Sequence, residues 1–246
     1  MNKMYRKKLY EPGAKEYFRV SRSKIDLFLE CPRCFYLDRR LGVSRPQGFP
    51  FNLNSAVDTL LKKEFDIYRR QHIPHPLMDS YGVDATPFTH EKMDIWRETF
   101  TGVETHHQPT NFVVFGAVDD IWIDKNKELV VVDYKATSKT EEVTLDAEWQ
   151  DGYKRQMEVY QWLLRQNGFK VNDTGYFVYA NGKRDRETFD GKLEFDIKLI
   201  AYTGSDTWVE KTLVDMKKCL DNNEMPKSSQ NCEYCDYVHN IQTKSF

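Results

Sequence analysis

Residues 116–135, GAVDDIWIDKNKELVVVDYK, set two apolar runs on either side of a polar turn. That pattern predicts a hairpin with a short connection. With the turn centred on Asn126, residues whose numbers sum to 252 face each other, so Asp119 lies opposite Asp133. Lys135, two residues beyond Asp133, projects from the same face. Apolar positions three and four apart predict helices elsewhere. One starts near Ser21 or Ser23, with Ser23 and Asp26 as a capping pair and Ile25, Phe28 and Leu29 as its stripe. A second covers residues 53–68, with Val57, Leu60, Leu61, Phe65 and Tyr68 on one face. Met93, Trp96 and Phe100 suggest a third. A fourth spans residues 149–167 with Tyr153, Gln156, Met157, Tyr160, Leu163 and Leu164 on a broad face and Gly168 as its stop. Trp208, Leu213 and Met216 mark a last one over residues 205–220.

Residues 174–179 and 193–199 read as two further strands, with a charged turn between them. Phe177, Tyr179, Phe195 and Ile197 fit sheet packing. Aromatic content of this kind serves either as core or as stacking platforms for single-stranded bases, core being the commoner use. Pro32 interrupts the first helical pattern, and residues 42–50 are loop. Residues 71–89, with Pro74, Pro76, Gly82 and Pro87, read as a long connection and a candidate flap over substrate. Residues 136–147 form a polar loop. His72, His75, His90, His106 and His107 have no ligand spacing and are assigned to surface loops.

Two like charges directly opposed in a ladder repel unless something neutralises them. Asp133 also ends an apolar run where a buried strand favours another apolar residue. Asp119, Asp133 and Lys135 together therefore suggest a site for Mg²⁺ or Mn²⁺, hard cations that prefer carboxylate oxygen. A bound divalent ion acidifies water and shields phosphate, and a nearby ammonium orients or stabilises the nucleophile. That is the chemistry of phosphodiester hydrolysis.

Gly116-x-x-Asp119 followed by Asp133-x-Lys135 resembles the core of the PD-(D/E)XK nuclease superfamily. Gln156-x-x-x-Tyr160 resembles the additional motif of its RecB-type branch, which includes CRISPR-associated adaptation exonucleases. Residues 21–36, SRSKIDLFLECPRCFY, are similar to that branch's entry helix. The resemblance implies an α/β, restriction-endonuclease-like fold, a central mixed sheet flanked by helices, and metal-dependent cleavage of DNA by an exonuclease. It implies Asp119, Asp133 and Lys135 as catalytic, Gln156 holding substrate or lysine, and Tyr160 at the substrate. The expected Mg²⁺ or Mn²⁺ ligands are Asp119, Asp133, the backbone carbonyl of Tyr134 and Asp58. The branch has a glycine and a metal-ligating histidine where this chain has Asn54 and Asp58. A carboxylate is still a hard-metal ligand, and the rival reading is a helix acid paired with Lys62 at i+4.

Cys31-x-x-Cys34 and Cys232-x-x-Cys235 can close a tetrathiolate site for Zn²⁺ or an iron-sulfur cluster, a clasp joining the two ends of the fold. The resemblance favours a [4Fe-4S] cluster. The two-and-two arrangement, with Ile241 where a final cysteine is expected, keeps zinc open. Cys219 is left over as a buried free thiol.

The sequence has 246 residues and a formal net charge of -2, which does not advertise nucleic-acid binding. Residues 1–45 nevertheless carry 12 Lys or Arg against 5 Asp or Glu, an excess of 7. Residues 1–20 are expected to be a basic, flexible segment, and residues 21–246 a single nuclease-like domain including the clasp. No apolar run is long enough for a membrane span, and the basic start lacks a signal-peptide apolar stretch, so a cytoplasmic protein is expected. The expected partners are DNA, as single strands or ends, and other nucleic-acid-processing proteins. The alternatives are a nuclease-fold binding module without turnover, signalled by Asn54 and Asp58, and cleavage of RNA.

Overall fold

The computed structural model describes residues 8–49 and 51–244. Residues 1–7, which hold part of the expected basic segment, lie outside them. The chain divides into two compact units, one of Met1–Phe49, His106–Val114 and Thr207–Phe246, the other of Pro50–Thr105 and Phe115–Asp206.

The second unit is built on five strands, β2 (Ala85–Pro87), β5 (Asp120–Asp124), β6 (Leu129–Thr137), β7 (Thr174–Gly182) and β8 (Phe195–Thr203), in the order β2-β5-β6-β7-β8. β6 and β7 run parallel, and the neighbouring pairs are antiparallel. The sheet is therefore mixed. A parallel pair needs a crossover, which here carries α6 (Asp151–Gln166). The hairpin has the expected register, with Asp120 opposite Val132 and Ile123 opposite Leu129. Its turn is closed by Asp124, whose Oδ1 accepts from the backbone N–H of Asn126 at 2.8 Å and of Glu128 at 2.9 Å. Such side-chain-to-backbone bonding is why Asp favours turns.

Alternation along β6 divides the two sides of the sheet. Val130, Val132 and Tyr134 join Trp122, Val178 and Leu199 in a core with Leu61 and Phe65 of α3 (Asn52–Gln71). Phe65 stacks on Trp122 at 5.5 Å. The odd-numbered residues of β6 face α6, as the bond between Gln156 and Asp133 shows. At Gly175 a Cβ would come within 2.8 Å of the Val131 carbonyl and still closer to Met157 of α6, so helix and sheet need glycine there.

The first unit holds β1 (Phe18–Ser21), α1 (Arg22–Glu30), α2 (Pro32–Arg39), α7 (Trp208–Asp221) and α8 (Glu233–Thr243). β1 belongs to a three-stranded sheet, order β1-β4-β3, with β4 (Phe112–Gly116) and β3 (Val103–His107). Pro32 restarts the helix at its first position, where its missing N–H costs nothing. Among the described residues no helix is long and apolar enough to cross a membrane.

Several local expectations are corrected. Residues 71–89 are no open flap: they contain α4 (Pro76–Ser80) and β2, which pairs with β5. The helix expected through Phe100 is one turn, α5 (Met93–Trp96), and Phe100 is exposed. Ser21 takes the N-cap position of α1 without a side-chain bond, and Ser23 meets Ser21 instead of closing a capping box. β6 runs into the supposed loop as far as Thr137, and Val143 and Leu145 are buried. Two histidines are structural rather than superficial. His75 is buried, stacks on Phe65 and accepts from Leu77 N–H at the start of α4, while buried His107 contacts Thr110 and Glu210.

Candidate active site and cysteine centre

The hairpin and α6 bring Asp119, Asp133, Lys135 and Gln156 together. Asp119 precedes β5, one residue before the Asp120–Val132 pair, so the ladder brings it next to Asp133. Asp119 Oδ2 also accepts from the Tyr134 backbone N–H at 2.9 Å. Asp133 is wholly buried. Burial first, and the Asp119 charge second, push its pKa up to about 7, although Lys135 opposes the shift. The Lys135 ammonium pairs with Asp133 Oδ2. A buried carboxylate with a second carboxylate next to it in the ladder is a donor set that a hard divalent cation fits.

Gln156 projects from α6, and its Nε2 donates to Asp133 Oδ1 at 2.7 Å and to the Tyr160 hydroxyl at 3.1 Å. Tyr160, expected at the substrate, is buried and supports Gln156. Asp58 pairs with Lys62 at 2.9 Å, the i+4 contact weighed in the sequence, and the same ammonium reaches Asp119 Oδ1 at 3.3 Å. Burial and the nearby Asp119 raise the Asp58 pKa. Burial pulls the Lys62 pKa down, but Asp119 and Asp58 outweigh it and leave the pKa raised. Lys62 thus bridges two of the expected ligands. Asn54 donates to the Ala136 carbonyl at 3.1 Å. Asn54, Val57, Asp58, Tyr134, Lys135, Ala136 and Tyr153 line a cavity of about 100 Å³.

A second polar cluster was not read from the sequence. Asp120, wholly buried, meets Arg69, accepts from Arg97 at 3.0 Å and accepts from the Tyr134 hydroxyl at 2.7 Å. Asp66 binds Arg97 through both oxygens, at 2.9 and 3.0 Å, and Arg97 Nε donates to the Asp119 carbonyl at 3.1 Å. The cluster therefore holds Asp119 and Tyr134, on either side of Asp133. Its only signal in the sequence was the second acid of Asp119-Asp120.

In the first unit Cys31, Cys34, Cys232 and Cys235 have sulfurs all within 4.8 Å of one another. Individual separations are 3.5 Å for Cys34 and Cys232, 3.7 Å for Cys34 and Cys235, and 3.9 Å for Cys31 and Cys235. None is in a disulfide. Arg45 donates to Cys232 Sγ at 3.7 Å, lies 4.6 Å over the Tyr234 ring and pairs with Glu30 at 2.6 Å. It supplies positive charge beside sulfurs that bind metal as thiolates. Burial works to raise the Cys31 pKa, yet backbone N–H groups of Cys34 and Ser229 outweigh it and bring the thiol down to about 7. Cys219 stands apart, half-buried, its pKa pushed up to about 11 by burial.

The description of the PD-(D/E)XK nuclease superfamily matches residues 19–239 of this sequence. The chain belongs to the PD-(D/E)XK nuclease superfamily. Its members are metal-dependent nucleases, and the paired carboxylates and lysine of this PD-(D/E)XK protein lie within the matched residues. Among solved structures it is similar to SSO0001, with 16% identity, a TM-score of 0.40, and coverage of 92% of this chain and 86% of that one. No curated protein matches it.

Proposed function

We propose that this protein is a Mg²⁺- or Mn²⁺-dependent deoxyribonuclease of the RecB-type branch, acting on DNA ends as an exonuclease. The observation that carries the reading is the placement of Asp119, held on the Tyr134 N–H, next to buried Asp133 and its Lys135 partner. Asp119, Asp133 and the Tyr134 carbonyl would hold the ion, with Asp58 reaching it once Lys62 yields. The ion would acidify water and offset charge on the phosphate. Lys135 orients the nucleophile and stabilises negative charge developing on the phosphoryl oxygens. Gln156 fixes the orientation of Asp133, and Tyr160 fixes Gln156. A role in DNA repair, recombination or adaptation-type processing follows from the branch resemblance.

For the four cysteines, sulfur spacing supports a single Zn²⁺ over a [4Fe-4S] cluster. Thiolates about 2.3 Å from one tetrahedral ion sit roughly 3.8 Å apart. Three of the six separations, 3.5, 3.7 and 3.9 Å, match that figure, and all six lie within 4.8 Å. A cluster interposes several atoms and spreads its cysteines wider. The closed four-sulfur shell is structural, a clasp within the first unit.

Purified protein with Mn²⁺ is expected to degrade linear DNA, and Lys135→Ala to abolish cleavage with DNA binding largely retained. Equal, negligible degradation by both proteins alongside retained binding would favour the binding module without turnover. Preferential degradation of RNA in a parallel panel would replace the DNA assignment.

A further inference from the structure

Beside the Lys135 cleft, Tyr153, which tilts against buried Phe177, is met by a second, exposed ring. Trp149 sits in the 3-10 turn Glu148–Gln150 that leads into α6, and it is 59% exposed. Its ring meets Tyr153 edge-on, at 5.5 Å between centroids and 83° between planes. Each ring carries a lysine: Lys139 is 5.2 Å from the Trp149 centroid and Lys135 is 4.4 Å from that of Tyr153. Tyr153 also lines the cavity that contains Lys135 and Asp58.

The surroundings hold this pair in place. Gln150, wholly buried behind Trp149, accepts from Ala147 N–H at 3.0 Å and donates to the Thr144 carbonyl at 2.6 Å. Asn181 of β7 clamps the Lys139 backbone twice, accepting from its N–H at 2.8 Å and donating to its carbonyl at 3.0 Å. Nearby acids are partly neutralised, Glu142 by Lys198 at 2.5 Å and Asp151 by Lys154 at 3.0 Å. Rigid aromatics interleaved with lysines suit a strand that presents flat bases and phosphates alternately.

We propose that Trp149, edge-braced by Tyr153 and flanked by Lys139, is a stacking platform for an unpaired nucleobase of a single strand entering the Lys135 cleft. The base lies on the exposed indole, and the neighbouring phosphate meets Lys139. Bases inside a duplex stay stacked on one another and are closed to the indole, whereas an unpaired or frayed base is open to it. The substrate class is thus single-stranded or frayed nucleic acid. This rests on the nuclease reading for why a strand enters the cleft.

The test is fluorescence anisotropy with a labelled single-stranded oligonucleotide and Ca²⁺ in place of Mn²⁺, followed by cleavage of the same strand with Mn²⁺. Trp149→Ala is expected to weaken single-strand binding roughly 5- to 150-fold, the span of one lost base–aromatic stack. Trp149→Phe should recover most of it, and binding of a blunt duplex should change less than about twofold. With wild-type protein, an oligonucleotide carrying a series of abasic sites should bind as weakly as the intact strand binds to Trp149→Ala, which needs no altered fold. Normal cleavage with unchanged single-strand affinity in Trp149→Ala, or no penalty for the abasic strand, would overturn the platform and leave the nuclease reading standing. Binding with the expected Trp149 dependence but no Mn²⁺-dependent cleavage would do the reverse.

Discussion

Gln156 of α6 donates a 2.7 Å hydrogen bond to Asp133 of β6, tying the crossover helix to the buried carboxylate at the centre of the site. The same amide nitrogen is held by Tyr160 one helical turn away. Gln156 therefore sets the carboxylate's orientation. Partners of this kind, behind a metal ligand, typically matter about 10- to 100-fold. Gln156→Ala is expected to slow single-turnover DNA cleavage by that order while substrate affinity changes little. A loss of affinity without a loss of rate would return Gln156 to direct substrate contact.

Asp58 is bridged by Lys62 to Asp119, so its share in ion binding depends on displacing that ammonium. Asp58→Ala is expected to raise the Mn²⁺ concentration for half-maximal cleavage and to lower the maximal rate less than Asp133→Asn does. A Mn²⁺ titration of both variants checks the order. An unchanged midpoint in Asp58→Ala would leave Asp58 as a helix acid only.

The Asp66, Arg69, Arg97 and Asp120 cluster is expected to govern stability. Arg97→Met leaves buried Asp120 and its neighbours short of a partner, and breaking a buried pair in this way costs about 3–5 kcal/mol. Urea unfolding at pH 7 measures it. Asp66 adds a pH dependence. Burial works against its charge, but Arg69 and Arg97 outweigh burial and hold its pKa below the usual 3.8. A carboxylate depressed on folding contributes stability above its unfolded pKa and loses it as pH falls through the folded value. The stability deficit of Asp66→Asn should thus be largest near neutrality and shrink below about pH 4. A deficit that grows in acid would contradict the ion-pair account.

The cysteine centre predicts one zinc per chain by elemental analysis and colourless protein. Chelation, or Cys235→Ser, should lower the melting temperature. Brown protein containing iron and sulfide would show that the sulfur spacing had been misread.

The hairpin was legible because local chemistry fixes it. Asp124 closes the turn, Lys127 adopts a φ of 64° there, and the apolar runs then set the register. The four cysteines were legible because two C-x-x-C pairs carry their own spacing. Arg69 and Asp120 were not, because each looks like a surface charge until the fold removes both from water together. β2 was hidden for a related reason: three residues just after Gly82, the last of them Pro87, make a strand only by pairing with β5. His75 gave no signal, since its stacking on Phe65 and its contact with Glu64 join segments ten or more residues apart.

The central claim, that Asp119 and Asp133 share an ion that drives phosphodiester cleavage, is tested most directly by Mn²⁺-dependent hydrolysis of linear DNA by wild type and Asp133→Asn under single-turnover conditions. The account predicts cleavage by the wild type that EDTA abolishes, and a rate at least about 100-fold lower for the folded variant. Cleavage by Asp133→Asn at the wild-type rate, or wild-type cleavage that persists in EDTA, would contradict it.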